Sequence, residues 1–294
     1  MGEHFTRGET TAGRAAPGAQ GGPVVMLHGL LESPALWEPL SEALDLGEHY
    51  APPLPGHRGD AARLPQALPL LGSEVALARH MADEIETRTG GRRVRLIGHS
   101  LGGYLALLIA RERPELVERV MVVGAIHAGD CGKRPSLRTR VVTGMPLLGP
   151  VSAQVLMRRW LADADRFAAW MTSSLAPGER LRKVPAAMRT ELATGSPRTI
   201  QALAAWARGQ SALDSFRSIE RPVTVVICAR DPVVAFAHQM ALARELPAAV
   251  ARIADTGHLP MLTAPRRFAM TVRAWLDDAA APTEGCATRA PAEV

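Results

Sequence analysis

Residues 94–103, reading VRLIGHSLGG, constrain the fold more than any other stretch of the chain. β-Branched and aliphatic residues run into a Gly-x-Ser-x-Gly turn, and an apolar-periodic segment follows to residue 113. A strand, a sharp corner and a helix are therefore predicted in succession. A Ser at such a corner is pushed out of the backbone path, and small residues two before and two after it leave room for the turn. Ser100 is then either an inert part of a glycine-rich connection or a nucleophile. A free hydroxyl attacks poorly, so the second reading needs a His base, an acid to orient it and donors for an oxyanion.

The pattern around this corner alternates strand and helix. Residues 23–27 form a continuous apolar run that reads as a buried strand, and Ser33-Pro34 opens a helix through Trp37, Leu40 and Leu44. A short strand is predicted at 49–51, followed by a Pro- and Gly-rich stretch at 52–59. Ser73 caps a helix that ends at Gly90-Gly91, and residues 117–123 are a further strand. From 127 to 218 the strand signal vanishes and prolines divide short helical segments. That is too long for a loop in a compact domain, so an inserted all-helical lid is predicted. Strands at 223–228 and 249–253, with helices at 235–246 and 266–278, then complete the core. The fold class is α/β: a mostly parallel sheet flanked by helices, built from 23–126 and 219–278. Residues 1–22 are read as a flexible segment and 279–294 as a disordered tail.

With 294 residues and 47% hydrophobic content, the chain can bury one large core or a core plus a small second domain. No apolar run approaches the about 18 residues of a membrane span, and the first residues lack a signal-peptide apolar region, so a cytoplasmic protein is expected. Cys131, Cys228 and Cys286 are far apart and form no C-x-x-C pair. Neither a disulfide framework nor a metal site is indicated, and no cofactor is expected. The net charge of +5 is uneven: residues 131–218 hold 14 Lys/Arg against 5 Asp/Glu, leaving 20 against 24 elsewhere. The basic middle either attracts an acidic partner or is a solvated helix surface.

Several motifs point to one family. His28-Gly29-Leu30-Leu31-Glu32-Ser33-Pro34-Ala35-Leu36-Trp37 is similar to an H-G-x-x-x-S-x-x-x-W pattern, and Leu54-Pro55-Gly56-His57 to an L-P-G-H loop. Gly98 to Gly102 match the nucleophile elbow, Arg230-Asp231-Pro232-Val233-Val234 resembles an acid loop, and Gly257-His258-Leu259-Pro260 a terminal G-H-x-P. Together they resemble the α/β-hydrolase superfamily, of the serine-nucleophile esterase or thioesterase type with a helical lid, over most of 23–278. The order Ser, Asp, His is the one expected of that fold. The strand pattern carries these residues to one sheet edge, where ligands of open α/β sheets bind. Ser100 is the expected nucleophile, His258 the base and Asp231 its orienting acid. The amides of Leu30 and Leu101 are the expected oxyanion donors.

Asp130 is a rival acid, because some members of the superfamily place the acid after the preceding strand. His127, at a strand end, has a substrate-contact and a structural reading. His57 and His99 are expected to pack and hydrogen-bond without transferring protons. Thr263 stands where the resemblance leads one to expect an acid after the G-H-x-P, and Pro53 where an Asp is common.

A Ser at the elbow excludes the dehalogenase and epoxide hydrolase variants, which use Asp there, and favours acyl chemistry. The expected activity is hydrolysis of a carboxylic ester or acyl thioester through an acyl-Ser100 intermediate. The basic lid suggests an acyl group carried by an acidic carrier protein or coenzyme A, contacted by Arg138, Arg140, Arg158 and Arg159. Met145, Leu147, Leu148, Met157, Trp160 and Trp170 either line an acyl pocket or form the lid's own core. No nucleic-acid motif is present. A lyase, a cofactor-free peroxidase and a non-catalytic ligand-binding homologue remain alternatives, since fold and triad do not fix reaction class.

Overall fold

The computed structural model describes residues 21–58, 72–131, 148–247 and 249–278. The predicted amino-terminal segment up to residue 20, the tail, and Arg138, Arg140, Met145 and Leu147 lie outside the described residues. Six strands, β1 (Val24–Leu27), β2 (His49–Tyr50), β3 (Val94–His99), β4 (Val117–Val123), β5 (Val223–Cys228) and β6 (Ala249–Ala254), form one sheet in the order β2-β1-β3-β4-β5-β6. Every pairing is parallel. A parallel sheet is covered on both faces, which is why β1, β3 and β5 are unbroken apolar or buried runs.

Alternate residues of β1 feed two cores. Val25 and Leu27 join the cluster of α2 (Glu74–Thr89), α3 (Leu101–Glu112) and Leu242. Val24 and Met26 join the one beneath α1 (Glu38–Ala43) and the last helix, which covers Pro265–Asp277. The caps follow the sequence. Ser73 Oγ accepts from Ala76 N at 3.3 Å, and Gly90 closes α2 in the left-handed region at φ 66°. Ser33 departs from expectation: its hydroxyl caps nothing, and a 3-10 turn, Pro34–Trp37, precedes α1. Strands β2 and β6 are the two edges, and on β6 Val250 and Ile253 are more than half exposed.

Between β4 and β5 the described residues contain no strand, only an isolated bridge from Ala128 to Ser211. They form α4 (Leu148–Ala162), α5 (Ala164–Thr172), α6 (Ala186–Thr194), α7 (Pro197–Arg208) and a 3-10 turn, Asp214–Ser218. Met157, Leu161, Phe167, Met171, Met188 and Leu192 share the second core with Trp37 and Met26, so these helices are packed onto the sheet domain. Helices α8 (Phe236–Glu245), α9 (Pro260–Thr263) and α10 (Pro265–Asp277) complete the chain. No helix among the described residues is long and apolar enough to cross a membrane.

The elbow depends on two glycines for proximity, not for unusual dihedrals. A Cβ on Gly98 would sit 2.5 Å from Gly102 O, and one on Gly102 would sit 2.3 Å from Leu27 O and 2.4 Å from His28 O. Those are backbone atoms at the end of β1 and cannot rotate away. Gly102→Ala is therefore expected to destabilise the protein by about 3 kcal/mol, as a lowered denaturation midpoint in urea. An alanine variant as stable as the parent would mean that α3 does not approach β1 this closely.

Candidate active site

Parallel pairing brings Leu27 opposite Gly98, His99 opposite Val123, Val123 opposite Val226, and Cys228 opposite Ala254. The segments that leave these strands carry His28-Gly29-Leu30, Ser100, Asp231 and His258 to the carboxyl edge. His258 Nδ1 lies 2.7 Å from Asp231 Oδ2, and both residues are buried. Gly124, just past β4, sits under the pair: a Cβ there would lie 3.2 Å from Asp231 Oδ2 and 3.3 Å from His258 Nδ1.

Ser100 occupies φ 52°, ψ −118°, a region that side chains rarely adopt and that costs about 1–3 kcal/mol. It is held by Ser100 N donating to Val123 O at 3.0 Å and by Gly103 N donating back to Ser100 O at 3.0 Å. Its hydroxyl has no hydrogen-bond partner among the described residues, and Gly29 packs against its Cβ. The amides of Leu30 and Leu101 likewise meet no acceptor there.

Two neutral histidines shape the first loop. His28 Nε2 accepts from Leu54 N at 3.0 Å while Nδ1 faces Gly29 O at 2.8 Å. His57 Nε2 accepts from Leu31 N at 3.0 Å while Nδ1 faces Pro55 O at 3.1 Å. An amide N–H must meet a lone pair, so each ring carries its proton on Nδ1. Burial lowers the pKa of His28 to about 4 and that of His57 to about 3, which keeps both uncharged at neutral pH. Leu31 sits at φ 62°, and the His57 contact holds this bend in place beside Leu30.

Glu32 is a supporting residue to which the sequence pattern assigned no role. It is 4% exposed, accepts from Gly29 N, and lies 2.9 Å from His99 Nδ1. The other ring nitrogen of His99 donates to His258 O at 2.8 Å, and the two ring centroids lie 4.5 Å apart at a tilt of 55°. Burial opposes charge on both groups, yet their mutual attraction and hydrogen bond carry Glu32 below its usual pKa and His99 above. The acid loop has its own brace. Asp231 Oδ1 accepts from Val233 N at 2.7 Å and Val234 N at 2.9 Å. Gln239, fully buried, accepts from Cys228 N at 2.8 Å and donates to Val234 O at 2.7 Å, with Asp231 Oδ2 at 3.4 Å. Glu179, between α5 and α6, ties down the His258 loop by accepting from Thr256 Oγ1 and Gly257 N, both at 2.9 Å. None of these three carried a motif, and only the fold brings them to the site.

The remaining predicted residues lie elsewhere. Asp130 is exposed and makes no contact with His258, whose Nδ1 is taken by Asp231. His127 is grouped with Cys131 and His238. Trp160 meets Trp170 edge-on at 4.7 Å and Phe167 at a tilt at 5.2 Å, against the second core, and its Nε1 is buried without a partner among the described residues. Leu148 begins α4. A cleft of about 560 Å³ opens among Arg180, Arg182, Thr256, Pro260, Arg267 and Phe268, sharing no residue with the Ser100, Asp231 and His258 set.

A sequence model described as the alpha/beta hydrolase family matches residues 24–271. The chain is similar to a pimeloyl-[acyl-carrier protein] methyl ester esterase of Aromatoleum aromaticum, 30% identical over 85% of this chain and 96% of that protein. It is 28% identical to a putative carbamate hydrolase of Agrobacterium fabrum, over 85% of this chain and 91% of that one. Among solved structures, a putative aryl esterase from Burkholderia cenocepacia superposes with a TM-score of 0.68 at 20% identity, covering 89% of this chain and 92% of that one, a likeness of fold.

Proposed function

Since the chain belongs to the alpha/beta hydrolase family and is an ester-bond hydrolase, we propose that it cleaves a carboxylic ester or acyl thioester through an acyl-Ser100 intermediate. The observation that carries this reading is the buried 2.7 Å contact between His258 and Asp231 at the sheet edge that also holds a serine at positive φ. His258 Nε2 takes the Ser100 proton as the hydroxyl attacks the acyl carbon, then returns it to the leaving group. Asp231 keeps the imidazole proton on Nδ1 and stabilises the imidazolium. The unpaired amides of Leu30 and Leu101 receive the oxyanion, each worth about 3 kcal/mol of barrier. Water, activated by the same histidine, releases the acid. Helices α4 to α7 act as the lid.

The acyl group arrives on an acidic carrier, an acyl carrier protein or coenzyme A. Arg158, Arg159, Arg180, Arg182, Arg198 and Arg208 are exposed and form no salt bridge among the described residues, and Arg180 and Arg182 border the cleft. The relative from Aromatoleum acts on an ester of a carrier-bound acyl group. A fluorophosphonate probe should label Ser100 in the wild type, located by peptide mass. Raising ionic strength from about 0.02 to 0.5 M should lower kcat/KM on a carrier-linked ester about tenfold and leave a small p-nitrophenyl ester unaffected. The double variant Arg158→Glu, Arg159→Glu should lose that salt dependence. Carrier-linked turnover that ignores both salt and charge reversal would refute the carrier, while no label on Ser100 in folded protein would refute the mechanism itself.

A further inference from the structure

A second convergence of chemistry-bearing side chains stands on the loop leaving β4 and the first turn of α8. Cys131 Sγ lies 3.4 Å from His127 Nε2 and 3.2 Å from His238 Nδ1, and the three atoms are all within 4.8 Å of one another. Around a zinc ion, with S at about 2.3 Å and N at about 2.05 Å, tetrahedral geometry puts sulfur and nitrogen about 3.5 Å apart. Both sulfur–nitrogen distances are already close to that value. A thiol has one proton and can donate to only one of the two imidazole nitrogens it faces, whereas a cation engages the lone pairs of all three. The His127 ring is buried, and its Nδ1 has no partner among the described residues.

We propose that His127 Nε2, Cys131 Sγ and His238 Nδ1 bind one borderline-soft divalent cation of the zinc class, the fourth position going to Asp130 or water. On binding, the Cys131 thiol proton leaves to solvent and three dative bonds form, with no change of oxidation state. One thiolate against the dication leaves a single positive charge. Asp130 Oδ1, 3.9 Å from Sγ, is placed to neutralise it. Cys131 packs with Val234, whose amide holds Asp231 Oδ1, and His238 precedes Gln239, which braces the same loop. The ion would fasten the loop after β4 to α8 around the acid loop, a structural role separate from the Ser100 chemistry.

Chelator-stripped full-length protein is titrated with zinc sulfate and, separately, with cobalt(II) chloride. One equivalent of zinc is expected, raising Tm by about 5 °C at saturation, and cobalt should give a thiolate-to-metal charge-transfer band. Both should vanish in Cys131→Ser and His238→Ala and persist in Cys286→Ser, each first shown to be folded by its metal-free circular dichroism melt. X-ray absorption of the zinc-loaded wild type, which needs no variant, should report one sulfur and two imidazole nitrogens. Absence of stoichiometric binding, a zinc shell without sulfur, or binding retained in both folded variants would overturn the proposal.

Discussion

Ser100→Ala is expected to lower kcat on an activated ester by roughly 10⁴–10⁶-fold while leaving the thermal melt almost unchanged. The asymmetry follows from the site. The Ser100 hydroxyl makes no hydrogen bond among the described residues, so its removal orphans no partner, while the nucleophile is lost. Alanine keeps the positive φ of 52° and its strain; Ser100→Gly keeps the angle but relieves the strain and should raise stability by about 1 kcal/mol. Asp231→Asn tests the second member. An asparagine amide pointed at His258 Nδ1 forces the imidazole proton onto Nε2, where it can no longer accept from Ser100, and kcat should fall about 10⁴-fold. Steady-state kinetics with a p-nitrophenyl ester and a melt of each variant suffice. Ser100→Ala retaining more than about one part in a hundred of the activity would mean that another group attacks the substrate.

Glu32→Ala is expected to cost about 3–5 kcal/mol of stability and to impair turnover, although Glu32 contacts no reacting atom. It leaves the buried His99 without its carboxylate and Gly29 N without its acceptor, and His99 holds the backbone of His258. Glu32→Gln keeps an acceptor and should cost less, which separates the charge from the hydrogen bonds. The pH dependence has a defined sign. His99 is raised above 6.5, so its contribution is full below that value and is lost as pH rises through its folded pKa. Glu32 is lowered below 4.5, so its contribution is full above that value and is lost as pH falls through its folded pKa. The Tm difference between wild type and Glu32→Gln should therefore be greatest between about pH 4.5 and 6.5 and shrink on either side. A difference flat from pH 4 to 9 would show that the pair is not ionised in the folded protein.

Residues that announce themselves do so because local chemistry allows little else. A Gly-x-Ser-x-Gly between a β-branched run and an apolar helix has few backbone solutions, and Ser73 and Ser196 cap helices wherever they meet free amides. The supporting residues leave no such mark. Glu32, Gln239 and Glu179 are ordinary surface-type residues by composition, and they function because the chain around them is buried. His238 bears no relation in sequence to Cys131, 107 positions away. The spacing of cysteines therefore gave no hint of a ligand set that depends on α8 lying beside the loop after β4.

The sequence by itself determined the alternation of strands and helices, the strained corner at Ser100, and which loops carry Asp231 and His258, because side-chain periodicity and turn chemistry act within a few residues. Tertiary structure alone decided that Asp231, not Asp130, meets His258 Nδ1, that four histidines divide into two neutral loop staples, one member of a buried ion pair and one partner of an aspartate, and that Trp160 turns toward its own helices. Those outcomes depend on burial and on distances between distant segments. Such quantities exist only once the parallel sheet has set its register and excluded water from its carboxyl edge.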